Sequence, residues 1–233
     1  MDYSDLTIVI PTLNEEESIG RLISKLTGSY DGIRVIVSDD GSDDGTERVV
    51  GRLSRRNGNV KFLDRSKRPD KGLTASAIEG ILDAKTKYVI VMDADLQHPP
   101  QTVGRIKRGL DSGNGVVVAV RKSVTGWQLY RRIVSRSLIL VGYAVLLAGR
   151  RERCGDIFSG FFGVDRKLFS KVYGRNRNRF VGEGYKILFD LLKCIDRGSV
   201  KVSEVPYAFH VREAGSSKAG VRQAAALLRS FLS

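Results

Sequence analysis

Cysteine and histidine are both scarce in this chain, with two of each among 233 residues, and Cys154, Cys194, His98 and His210 lie too far apart for a zinc-finger spacing or a disulfide framework. That scarcity favours a reduced, intracellular setting, with both cysteines as ordinary buried thiols. No basic, apolar, small-residue leader opens the chain, since Asp5-Leu6-Thr7-Ile8-Val9-Ile10 already has the pattern of a strand, which argues against secretion. Only 5 prolines occur, and no low-complexity tract or linker separates two folding units, so one compact domain is expected. The longest apolar stretch, Leu138 to Ala148, covers about half of the roughly 20 residues that a membrane-crossing helix requires.

Hydrophobic residues make up 42% of the chain and charged residues 28%, the balance of a globular domain able to bury a core. The net charge of +13 is unevenly placed. Residues 1–100 carry 14 Lys and Arg against 17 Asp and Glu, whereas residues 121–180 carry 14 against 3. A basic segment of that density suits polyanions: nucleic acid, anionic lipid headgroups or phosphorylated substrates.

Short apolar runs at Leu6–Ile10, Ile33–Val37, Val60–Leu63, Tyr88–Met92 and Val116–Val120 alternate with helical patterns near 16–27, 44–56, 73–85 and 100–111. Continuous apolar strands joined by helices predict a Rossmann-like α/β domain with a mostly parallel sheet covered on both faces. Ligands bind such sheets beyond the carboxyl ends of the strands. Those ends carry Pro11-Thr12-Leu13-Asn14-Glu15, Asp39-Asp40-Gly41-Ser42, Asp93-Ala94-Asp95-Leu96-Gln97, and Arg121. Asn14, Asp39, Asp40 and Ser42 are good cap and turn residues. Three acid-bearing strand ends on one rim would repel one another unless a cation or a donor-rich ligand joins them. In an extended segment Asp93 and Asp95 point the same way, with the Gln97 amide next in the series, so their oxygens suit a hard cation, Mg²⁺ or Mn²⁺, better than zinc.

These motifs, with Asp43-Asp44-Gly45-Thr46, Lys71-Gly72-Leu73-Thr74-Ala75, His98-Pro99-Pro100, Ser159-Gly160-Phe161-Phe162, Gly184-Tyr185-Lys186 and Val205-Pro206-Tyr207, resemble in order and spacing the inverting glycosyltransferases of family 2. Within that family the likeness is strongest to the polyprenol-phosphate (dolichol-phosphate) mannose synthases, and it spans roughly residues 5–220. The resemblance implies a nucleotide-sugar-binding domain of the GT-A type over 1–220, with acceptor-side interfacial helices about 126–149 and an amphipathic helix over 221–233. It implies a nucleoside pocket lined by Pro11, Leu13, Glu15, Ser38 and Asp40, with Ala94 beside it. It places Mg²⁺ or Mn²⁺ on Asp93, Asp95 and Gln97, and Arg212 and Lys218 on the donor phosphates. Arg121, Arg131 and Ser135 would grip the lipid phosphate, and Asp93, Asp95, Arg121 and Arg212 would carry catalysis. Leu13 and Ser38 depart from the family pattern, which commonly has an aromatic and an apolar residue there.

The function implied is transfer of mannose from GDP-mannose to dolichyl or polyprenyl phosphate with inversion, at the cytoplasmic face of a membrane. Membrane-spanning partner subunits or a further membrane domain would accompany it, and nucleic acid would not. Two rivals remain open: a polyprenyl-phosphate glucosyltransferase using UDP-glucose, and a non-catalytic basic module for membranes or nucleic acid. Around Leu138–Ala148, arginines at 131, 132 and 136 and at 150, 151 and 153 suit a helix lying in a lipid interface, while a buried core helix with charged ends satisfies the same pattern. Gly72 and Gly80 are expected to serve tight turns or close helix–sheet packing.

Overall fold

A computed structural model describes residues 2–122, 129–208 and 230, with the backbone alone over 129–138. Seven strands form one sheet in the order β3-β2-β1-β4-β6-β5-β7. They are β1 (Leu6–Thr12), β2 (Arg34–Asp39), β3 (Val60–Asp64), β4 (Tyr88–Val91), β5 (Val116–Arg121), β6 (Phe162–Asp165) and β7 (Val202–Tyr207). All pairings are parallel except those of β6, which runs antiparallel to both β4 and β5. The expected Rossmann-like, mostly parallel sheet is therefore present.

The helices bury the stripes that their periodicity announces. In α1 (Glu16–Ser29), Ile19, Leu22, Ile23 and Leu26 recur at helical spacing and are buried. With α4 (Thr102–Asp111), which contributes Val103, Ile106 and Leu110, they form the core on one face of the sheet. The opposite face is covered by α3 (Leu73–Asp83), α6 (Arg166–Arg175) and α7 (Ile187–Leu192), through Ile78, Ile81, Phe169, Leu188 and Leu191. Gly80 lets α3 press onto β1, since a Cβ there would lie 2.5 Å from a Val9 methyl. Helix α2 (Thr46–Arg56) buries Val50 and leaves its basic side outward.

Helix α5 (Leu129–Ala148) meets the expectation of a core helix on one side and leaves apolar residues exposed on the other. Leu146 is buried in the core and Tyr143 and Val145 pack beside it, while Leu140, Val141 and Leu147 are exposed. No helix among the described residues is long and apolar enough to cross a membrane. The expected helix over 221–233 lies outside the described residues, apart from Ser230.

Candidate active site at the carboxyl rim of the sheet

Strands β2, β1 and β4 are neighbours running the same way, so their carboxyl ends share a rim. The antiparallel β6 begins at that rim, with Phe162 level with Val91 of β4 and Val118 of β5. It thereby threads the loop Gly155–Phe161 between the two strands.

At the β1 end, Asn14 takes a left-handed conformation (φ 56°) and locks this loop to the one after β2. Its backbone N–H donates to Ser42 Oγ at 2.8 Å and its side-chain amide to Asp43 at 2.7 Å, while its carbonyl accepts from Asp43 N–H at 3.0 Å. Pro11 is buried, and Leu13 and Glu15 are half-buried beside the turn. Ser38 is fully buried, and its hydroxyl has no hydrogen-bond partner among the described residues.

The acids after β2 do not wait for an outside cation, which corrects part of the repulsion argument. Asp39 accepts from Gly41 N–H (3.0 Å), Ser42 N–H (2.7 Å), Ser42 Oγ (2.6 Å) and Thr12 Oγ1 (2.9 Å), the turn role expected of it. Asp40 accepts from Arg65 at 2.5 Å and from Gly72 N–H at 2.6 Å. Arg65, absent from the sequence-based site, is fully buried and also reaches Glu79 (2.8 Å), Ser76 (3.0 Å) and the Asp70 carbonyl (2.8 Å). Gly72 sits at φ 122°, and a Cβ there would lie 2.8 Å from the Gly182 carbonyl oxygen. Asp40 is thus the hub that joins the end of β2 to the start of α3.

The acids after β4 are arranged differently from expectation. Strand β4 ends at Val91, and the chain bends through Leu96 (φ 62°), so Asp93 and Asp95 do not lie on an extended segment. Asp93 is half-exposed, whereas Asp95 is buried and accepts from the Gln97 backbone N–H at 3.1 Å. That bond uses the Gln97 backbone and not its side-chain amide, the group expected to join the metal. Gly160 lies against Asp93, where a Cβ would come within 3.2 Å of both carboxylate oxygens. Beneath them His98 stacks on Phe161 with centroids 4.8 Å apart and meets Tyr207 edge-on at 5.9 Å. His98 Nδ1 accepts from the Asp93 backbone N–H at 3.1 Å, and burial pushes its pKa down to about 4, against the pull of Asp95. A neutral imidazole therefore braces the Asp93 backbone. Burial also raises the Tyr207 hydroxyl above its ordinary value.

Arg121, at the end of β5, is held by Asp156 through a fork: Nε donates at 2.7 Å and a terminal nitrogen at 3.1 Å. Asp156 is buried, and sequence reasoning missed it because it follows an arginine-rich run with no strand-end signal. Arg131 and Ser135 lie on α5, but their side chains are outside the described residues, as are Arg212 and Lys218 entirely.

Among the described residues no three His, Cys, Asp or Glu side chains gather into a metal cage. The rim instead offers the carboxylates of Asp93 and Asp95, a donor set of hard oxygens that fits Mg²⁺ or Mn²⁺ when a substrate's phosphate oxygens and water complete the shell.

A model of glycosyl transferase family 2 matches residues 7–173. The chain is 33% identical over 219 residues to a dolichol-phosphate mannosyltransferase of Pyrococcus furiosus, covering 91% of this chain and 58% of that protein. It is 29% identical to one of Mycosarcoma maydis, covering 91% of this chain and 72% of that one. The chain thus spans somewhat over half the length of the archaeal relative. A structure of glucosyl-3-phosphoglycerate synthase from Mycobacterium tuberculosis with Mn²⁺, UDP-glucose and phosphoglyceric acid shares the fold, with a TM-score of 0.66 and 21% identity over 97% of this chain and 79% of that one.

Proposed function

From the premise that this chain belongs to glycosyl transferase family 2, we propose that it moves mannose from GDP-mannose to a dolichyl or other polyprenyl phosphate, with inversion, at the cytoplasmic face of a membrane. The observation that carries the reading is the likeness to two dolichol-phosphate mannosyltransferases over 91% of the chain. The rim supplies what such a reaction needs.

Breaking the bond between sugar and nucleoside diphosphate develops negative charge on the departing diphosphate, so the largest contribution comes from positioned positive charge. A bound Mg²⁺ or Mn²⁺ would supply part of that charge, and Asp93, Asp95 and Gln97 are the residues we assign to hold it; the mycobacterial neighbour contains Mn²⁺ with its UDP-sugar. Arg212 and Lys218 are the cations we assign to the donor phosphates. Pro11, Leu13, Glu15, Ser38 and Asp40 border the nucleoside side, where Arg65 and Gly72 hold the Asp40 carboxylate in place.

On the acceptor side a phosphate monoester, with a second pKa of about 6, is already largely dianionic near neutral pH and can attack the anomeric carbon without a general base. Among the described residues the histidine at the rim, His98, is buried, and burial pushes its pKa down to about 4. Arg121, fixed by the Asp156 fork, presents a planar guanidinium suited to phosphate oxygens, with Arg131 and Ser135 from α5 completing the grip. In-line attack inverts the anomeric centre, giving a β-linked mannosyl lipid that serves as a sugar donor for glycosylation.

The test is GDP release. Wild-type protein should release GDP from GDP-mannose only when both polyprenyl phosphate and a divalent ion are present, and Asp95→Asn should abolish release while keeping the fold by circular dichroism. Release of UDP from UDP-glucose instead would replace the donor and keep the acceptor; release of neither would overturn the reading.

A further inference from the structure

A groove of about 720 Å³ opens beside the carboxyl end of α5, lined by Leu146, Leu147, the four arginines at 150, 151, 153 and 197, Asp196 and Gly198, and shares no residue with the rim described above. A smaller cleft of about 290 Å³ adjoins it through Arg153 and Arg197.

The arginines are built into the backbone. Helix α5 closes with Arg150 N–H on the Leu147 carbonyl (3.0 Å) and Arg151 N–H on the Leu146 carbonyl (2.8 Å). That closure puts Arg150 at φ 52°, a left-handed conformation that glycine adopts without strain and arginine does not. An arginine in that conformation is a backbone outlier, of the kind that collects at ligand clamps and functional loops. The facing segment is fastened to it, Arg197 N–H donating to the Arg150 carbonyl at 3.0 Å.

The neighbouring acids are already engaged. Asp196 pairs with Arg151, and Glu152 accepts backbone N–H groups from Arg153 (3.1 Å) and Gly198 (2.8 Å). Arg150, Arg153 and Arg197 make no side-chain hydrogen bond or ion pair among the described residues. Three guanidinium groups thus face a groove whose wall continues into the exposed apolar face of α5, with Leu140 68% exposed, Val141 47% and Leu147 52%.

A nucleic acid would use the arginines and leave the leucines in water; a membrane lipid uses both. We propose that this groove is a headgroup site for an anionic glycerophospholipid, its phosphodiester among Arg150, Arg153 and Arg197 and its acyl chains along Leu140, Val141 and Leu147. The proposal rests on the reading that the acceptor is a membrane lipid, but this lipid is a different molecule. The acceptor phosphate is assigned to Arg121 and Arg131, and Arg131 is separated from Arg150 by the length of α5, about 30 Å at 1.5 Å per residue. Two phosphate grips at opposite ends of one helix would lay that helix along the membrane surface.

Flotation of the 233-residue chain with phosphatidylcholine vesicles, with and without phosphatidylglycerol, tests this. Arg150→Gly removes the guanidinium and relieves the strain, so its melting temperature should hold or rise and misfolding cannot mimic the expected loss. Arg150→Gly and Arg197→Gln should each weaken binding to phosphatidylglycerol vesicles about fivefold, and the double variant about twenty-fivefold. Leu140→Ser with Leu147→Ser should weaken it further, and transfer to detergent-dispersed acceptor should be unchanged in every variant. The proposal is overturned by equal binding to both vesicle types, by full binding of the double variant, by displacement with inorganic phosphate at matched ionic strength, or by a stronger preference for a single-stranded oligonucleotide. Because the readout is binding, failure of the transferase reading would appear as absent sugar transfer with these vesicle results intact.

Discussion

Replacing Arg65 by Met would strand a buried charge. The Arg65 side chain is fully buried between Asp40, whose own side chain is 5% exposed, and Glu79. Glu79 keeps a second partner in Arg68 at 2.7 Å, but Asp40 would retain only the Gly72 N–H. Removing one member of a buried ion pair typically costs about 3–5 kcal/mol, because the other charge is left without compensation. With a urea m-value of about 2–3 kcal/mol/M, a loss of about 4 kcal/mol lowers the unfolding midpoint by roughly 1.3–2 M. Arg65→Met with Asp40→Asn removes both charges, so its loss should fall well short of the sum of the singles, with a coupling of about 1–3 kcal/mol. Arg65→Lys keeps the charge and loses the planar fork that reaches four groups at once, and should fall between. Urea titration followed by circular dichroism reads wild type, the two singles, the double variant and Arg65→Lys. A midpoint for Arg65→Met within about 0.2 M of wild type would refute the claim that Asp40 depends on Arg65, since surface substitutions cost up to about 0.5 kcal/mol, which is about 0.2 M at that m-value.

The site allows further expectations. Asp156→Ala should lower kcat/KM for the lipid phosphate on the order of 10²-fold by letting Arg121 drift, with GDP affinity unchanged by calorimetry and partial recovery in Asp156→Glu; equal loss of donor and acceptor would show instead that the fork only holds up the fold. Gly72→Ala, forced into a left-handed conformation against the Gly182 carbonyl oxygen, should cost more than about 1 kcal/mol in thermal or urea unfolding, and an unchanged midpoint would contradict the close approach. Burial raises the Cys154 thiol to about 12, so the reactive thiolate stays rare until the pH approaches that value. Native protein at pH 8 should therefore leave Cys154 unmodified by a thiol reagent, with labelling only on unfolding.

Five strands could be read from the sequence because Leu6–Ile10, Ile33–Val37, Tyr88–Met92 and Val116–Val120 are largely buried apolar runs, for which burial and pattern say the same thing, and because Val60–Leu63, half-buried at the sheet edge, still reads as a short apolar run. The other two strands carry weaker signals. Phe162–Asp165 is only 4 residues long, and its antiparallel insertion between β4 and β5 is a long-range event that no local pattern encodes. Strand β7 holds Pro206, which cannot donate to a ladder and is tolerated because β7 is the edge of the sheet. The carboxylates after β4 were legible as strand-end acids; their geometry was not, because the chain bends over Ala94–Leu96, which removes the alternation that an extended chain would impose. Arg65 lies within the charged stretch Asp64-Arg65-Ser66-Lys67-Arg68, and Asp156 follows Arg150-Arg151-Glu152-Arg153 by three residues, and both stretches look solvated locally. What buries each of them is a partner far off in sequence, Asp40 for one and Arg121 for the other.

The most direct test of the central claim is to supply radiolabelled GDP-mannose, polyprenyl phosphate and Mn²⁺ to the protein and to count label in the organic-extractable lipid. The account predicts a labelled, β-linked mannosyl phospholipid that disappears on chelation of the metal and in Asp95→Asn. Unlabelled lipid beside intact GDP-mannose, from folded protein in the presence of anionic vesicles, would contradict it.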